Sequence, residues 1–147
     1  MGRIVYQEFN ALSAPASTHD VWSIIAGSAN KVLIHGFELT SNAVAAAIID
    51  INFHRISAAG SGGSASATEE LRDEVDSAVT AAVRTLDTTP GTASGPLMAW
   101  QWEQLGPVGV VFTPEMRPIS LVSEGFALTW STATAATVSG WLSWEEL

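Results

Sequence analysis

The chain is expected to fold as an all-β protein, an antiparallel jelly-roll-like β-sandwich with one short acidic helix in a long loop. Two observations predict this. Apolar side chains recur at every second position, and turn-forming clusters separate nine or ten such runs. Met98, Trp100 and Trp102 alternate with Ala99, Gln101 and Glu103. Phe126, Leu128 and Trp130 alternate with Ala127, Thr129 and Ser131. Val138, Leu142 and Trp144 share the final run with Thr137, Ser139, Trp141 and Ser143. A strand points successive side chains to opposite faces, so each run buries one side of a sheet.

Taken in order, residues 4–9 form a first short strand and 10–18, with Pro15, a turn-rich segment. Residues 19–26 form the second strand. Residues 31–40 form the third, with Leu33, His35, Phe37 and Leu39 on one face. Residues 44–57 form the longest, with Ile49, Ile51 and Phe53 opposite Asp50, Asn52 and His54. Residues 59–66 are Gly/Ser-rich and read as a flexible loop. Thr68 as N-cap, the acidic run 69–76, and Leu71 and Val75 four apart predict one or two helical turns. Residues 78–88 return to β character, 89–96 form a loop, and 97–105 the tryptophan strand. Residues 108–113 are a short strand, and Pro114 and Pro118 hold the segment between them extended or turning. Residues 119–122 and 126–131 pair around a turn at Glu124-Gly125, and 136–145 close the fold after a small-residue loop at 132–135. No repeat or boundary divides the chain. Residues 1–147 are expected to form one domain, with 1–18 as an N-terminal arm that either folds back or is exchanged with a neighbour.

Composition limits function. Of the 147 residues 47% are hydrophobic and only 14% charged, against roughly 25% charged in an average soluble domain. So neutral a surface, rich in Ala, Ser and Thr, is expected to be covered in part by other subunits. Six Lys and Arg against fifteen Asp and Glu give a net charge of −9. That balance argues against nucleic acid and against anionic membranes as partners. With no cysteine, disulfides, thiolate nucleophiles and thiolate metal sites are excluded. No signal peptide or transmembrane stretch is read, and synthesis in a cytoplasm is expected.

No reaction centre emerges. His19, His35 and His54, with Asp20 or Asp50, would ligate zinc only if they converged. Glu103 and Glu115 would serve as glycosidase carboxylates only at about 5–9 Å. No G-x-S-x-G or phosphate loop occurs. The expectation is a non-enzyme without cofactor or metal. The tryptophans divide among core, subunit interface and ligand platform. Trp141, set among Thr137, Ser139 and Ser143, is the best interface anchor. Trp100, Trp102, Arg55, Arg117 and Glu115 complete the candidate interface, Arg117 being held stiffly between prolines with a local salt bridge as the default.

Some segments carry a resemblance. They are Val32-Leu33-Ile34-His35-Gly36-Phe37-Glu38-Leu39, a long strand ending in Arg55, a Gly/Ser loop and Trp100-Gln101-Trp102. Thr113-Pro114-Glu115-Met116-Arg117-Pro118, Ser123-Glu124-Gly125 and Val138-Ser139-Gly140-Trp141-Leu142-Ser143-Trp144-Glu145-Glu146 follow. From about Lys31 onward the chain resembles small structural proteins of tailed bacteriophages and is similar to β-sandwich capsid cement, or decoration, proteins. The resemblance implies a virion protein on the capsid surface that binds the phage major capsid protein and itself, as a homotrimer ahead of a homodimer. Two alternatives remain open: a carbohydrate-binding β-sandwich module on the tryptophans, and a tail or head-fibre adaptor.

Overall fold

The computed structural model describes residues 2–65, 69–72, 78–131 and 136–147. Its strands are β1 (Arg3–Ala14), β2 (His19–Ile25), β3 (Val32–Ser41), β4 (Ile48–Ala58), β5 (Ser64–Ala65) and β6 (Glu69–Leu71). They continue with β7 (Ala82–Asp87), β8 (Thr92–Glu103), β9 (Val108–Val111), β10 (Gly125–Ser131) and β11 (Ala136–Glu146). Two antiparallel sheets result, ordered β6-β1-β11-β3-β9 and β5-β7-β2-β10-β4-β8. Their inner faces meet in one apolar cluster, in which Phe37 from the first sheet packs edge-on against Trp22 from the second, ring centroids 5.4 Å apart. The protein is a β-sandwich.

The alternating runs explain the layers. Trp22, Trp130 and Trp144 are fully buried, with Phe37, Phe53 and Phe126 among them. Phe53 stacks on Phe126 at 5.4 Å, and Trp102 meets Trp130 edge-on at 5.5 Å. Offset and edge-on rings add to the area they bury. One buried end of the chain is polar. Glu146 accepts hydrogen bonds from the Thr80 hydroxyl (2.6 Å) and the Ala81 amide (2.8 Å), and pairs with Arg3. This ties the segment before β7 to both chain termini.

Several sequence expectations are corrected. The acidic helix is not formed where it is described: Glu69–Leu71 is strand β6, paired with β1 through Val5↔Leu71 and Tyr6↔Glu70. An isolated helix this short is costly to nucleate, whereas the free edge of β1 offers ready ladder hydrogen bonds. Thr68, Asp73, Glu74, Val75 and Asp76 lie outside the described residues, as does the loop 132–135. β1 runs on to Ala14 through residues read as turn, by way of an irregularity between Phe9 and Leu12. Ala11 sits there at φ 51°, in the left-handed region. β8 begins at Thr92, inside the expected loop, and Pro96 is accommodated because β8 is an edge strand. Residues 119–122 contribute only a bridge, Leu33↔Ile119.

The most consequential correction concerns β3. It buries Val32, Ile34, Phe37 and Leu39, whereas Leu33 and His35 are only half-buried. A register shift between Ser143 and Trp144, opposite Gly36 and Ile34, moves the alternation by one residue. A bulge of this kind re-aims side chains. It places His35 beside Glu145 rather than in the core.

Candidate functional site

On the outer side of the five-stranded sheet, β11 presents Trp141 at its centre, paired with Glu8 of β1 and Glu38 of β3. The neighbouring strand is bare beneath the indole. A β-carbon at Gly36 would lie 3.3 Å from Trp141 Cη2 and 2.6 Å from the Val110 carbonyl oxygen. Glycine here is what lets the ring settle against the sheet. Two shallow depressions flank the ring. One, of about 230 Å³, is lined by Tyr6, His35, Gly36, Val111, Arg117 and Ser143 with Trp141. The other, of about 290 Å³, includes Glu38, Pro107, Gly109 and Val111 with Trp141.

The polar groups of this face are specific. His35 Nε2 lies 3.2 Å from Glu145 Oε2. Burial holds the His35 imidazole below its ordinary value; the Glu145 hydrogen bond opposes this, and the Arg117 charge reinforces it. Among the described residues Arg117 forms no ion pair, and its buried Nε–H has no acceptor. The local salt bridge expected for Arg117 is therefore not made within the described chain. Glu115 is exposed in the 3-10 turn Pro114–Met116.

The remaining candidates serve the sandwich itself. Trp102 is buried, and its indole N–H donates to the Gly106 carbonyl at 2.7 Å. Trp100, half-buried on edge strand β8, packs edge-on against Phe37 at 6.0 Å. Arg55 donates to the Ile119 carbonyl and lies 5.3 Å from the Phe126 ring centroid. Trp141 and Arg117 are thus brought together, and Trp100, Trp102 and Arg55 are not. The sequence places Ser143 on the face of Trp141 and His35 on the face of Phe37, but gives no sign that Tyr6 and Val111 join them. The usable signal was Gly36 inside an apolar strand, which marks a bulge or a close approach.

Acidic groups elsewhere are structural. Asp20 and Asp87 face each other across β2 and β7. Asp20 accepts from the Thr129 hydroxyl and the Gly91 amide, each at 2.7 Å. Asp87 pairs with Arg84 at 2.7 Å and accepts from the Gly63 amide at 3.1 Å. They pin both ends of the β4–β8 connection. His19 lies tilted against Trp130, ring centroids 5.5 Å apart, and donates its Nδ1–H to the Ser17 carbonyl. Among the described residues no three His, Asp or Glu side chains gather around a metal position, and no helix is long and apolar enough to cross a membrane.

Comparison of the chain with known protein families, curated proteins and solved structures finds no match.

Proposed function

We propose that the chain is a non-enzymatic structural protein of a tailed-phage virion, a cement protein that self-associates and clamps the outer surface of the major capsid shell. The observation that carries this reading is the placement of its exposed apolar side chains. Six of them lie at the two ends of β3, and others, Tyr6 and Val111 among them, lie beside Trp141 on the outer face of the five-stranded sheet. At one end Val44 is 99% and Ile48 72% exposed, and Leu105 joins them because the Gln104 amide bonds to the Ala47 carbonyl. At the other, Ile119, Leu121 and Val122 are exposed where Ile119 bridges Leu33 and the Ser123 amide reaches the Gly27 carbonyl. A ten-residue strand separates the clusters, roughly 30 Å in length.

A monomer gains nothing by holding large apolar side chains in water at both ends, whereas a lattice clip covers both. Each such side chain contributes about 1.5–3 kcal/mol when fully buried. The shell is stabilised only by the difference in binding between its intact and opened states. Strand order supports the jelly-roll part of the reading. With β5, β6 and β7 set aside, β1-β11-β3-β9 covers β2-β10-β4-β8, the eight-strand arrangement of two Greek keys. The acidic surface suits a protein partner better than nucleic acid or an anionic membrane.

The test is particle stability. Virions lacking the protein are expected to release their genome at lower temperature, with the loss reversed by adding purified protein back. Identical release curves with and without it would contradict the reading.

A further inference from the structure

We propose that the outer face of the five-stranded sheet binds a neutral oligosaccharide, one sugar ring lying against Trp141 and the next unit occupying the adjoining depression. This does not depend on the virion reading, because none of the exposed apolar residues at the two ends of β3 lines either depression.

Three features of the face support it. First, Trp141 is the tryptophan of this chain placed on an outer sheet face; Trp22, Trp102, Trp130 and Trp144 are buried in the sandwich, and Trp100 packs inward against Phe37. An indole set down over Gly36 offers the flat apolar surface that the C–H face of a pyranose covers. Second, the depressions of about 230 and 290 Å³ share Trp141 and Val111. Two hollows flanking one indole suit consecutive sugar units better than a single compact ligand.

Third, the rim carries donors and acceptors together. Arg117 is donor-only, and among the described residues it has no ion-pair partner. The half-exposed Tyr6 adds a hydroxyl, while Ser143, which lines the same depression, is buried. Glu145, bonded to His35, and Glu38, on the far side of Trp141, are acceptors. A polyhydroxylated neutral ligand uses both kinds of group. An anionic ligand would use Arg117 but meet the two carboxylates, on a chain of net charge −9. A nucleic acid is disfavoured by the same charges, and an uncharged sugar avoids the conflict.

The experiment is a glycan array carrying neutral, sialylated and sulfated glycans, followed by calorimetric titration with maltotetraose, cellotetraose, the N-acetylglucosamine tetrasaccharide and the best neutral hit. Binding to neutral glycans is expected. It should weaken at least about tenfold in Trp141→Ala, the equivalent of about 1.4 kcal/mol. Trp141→Phe, which keeps a ring, should retain part of it, and Arg117→Gln should weaken it several-fold. Thermal melts of the variants should stay close to that of the parent chain, which separates a binding loss from unfolding. The inference is overturned if no neutral glycan binds, if affinity is unchanged in Trp141→Ala, or if only charged glycans are retained in a salt-sensitive way.

Discussion

Gly36 carries more of the outer-face geometry than any charged residue. A methyl group there would press on the Val110 carbonyl oxygen at 2.6 Å and on the Trp141 ring. A backbone oxygen held in a ladder cannot move away cheaply. Gly36→Ala is therefore expected to destabilise the fold by about 1–3 kcal/mol and to shift the emission of Trp141, read by chemical denaturation and fluorescence. Ala11 is the reverse case. Held at φ 51°, it should accept glycine without loss, and Ala11→Gly is expected to stabilise by up to about 1 kcal/mol.

Titration follows from burial. The imidazoles of His19 and His35 are held below their ordinary value, chiefly by desolvation. Their neutral forms are favoured by folding. As pH falls through the ordinary histidine range near 6.5, the unfolded chain takes up protons before the folded one, and stability declines. Asp20 works in the opposite sense. Burial raises its carboxyl, so between that raised value and the ordinary carboxylate value its protonation favours the fold and offsets part of the loss. Melting temperature should fall on acidification from neutral pH, and the fall should be smaller in His19→Asn/His35→Gln. A flat profile in the parent chain would contradict this assignment.

At the scale of elements, alternation was legible wherever strands are regular. β4 buries Ile49, Ile51 and Phe53 while Asp50, Asn52 and His54 take the other side, as the period of two requires. The final strand buries Val138, Leu142 and Trp144, again as read, whereas Trp141, expected to be exposed, is half-buried, and Ser143 on its face is buried. Where one residue is inserted, the same rule points the wrong way. Alternation puts His35 on one face with Phe37 and Leu39, because a bulge is invisible in the residues that contain it. The acidic run failed differently. Local charge favours a helix start, but β6 is made by pairing with β1, more than sixty residues away, and no local signal reports such a partner. Half of the outer-face site was legible, through Trp141 and Arg117. Tyr6 and Val111 come from strands whose adjacency only the sheet order supplies. These assignments separate by mutation. Trp130→Ala and Trp102→Ala, in the core, should cost about 3–5 kcal/mol, whereas Trp141→Ala should cost under about 1 kcal/mol; equal losses would place Trp141 in the core.

At the scale of the whole molecule, the sandwich is closed by a well-filled aromatic core and yet leaves Val44, Ile48, Leu105, Leu121 and Val122 in water at its ends. Val44 and Ile48, the most exposed of them, add little to the stability of an isolated chain. Val44→Ser/Ile48→Ser should therefore leave the denaturation midpoint within about 0.5 kcal/mol of the parent. The same pair should lower self-association and shell binding, read by mass photometry and co-sedimentation. A large loss of monomer stability would show that the two side chains support the fold rather than an assembly.

The most direct measurement is a reconstruction of the phage particle from gradient-purified virions. The account predicts density matching this sandwich on the outer shell, as trimers at junctions between capsid subunits, with the Val44 end or the Leu121 end against the lattice. Virions complete without the chain, with the purified protein a stable monomer that sediments apart from shells, would contradict it.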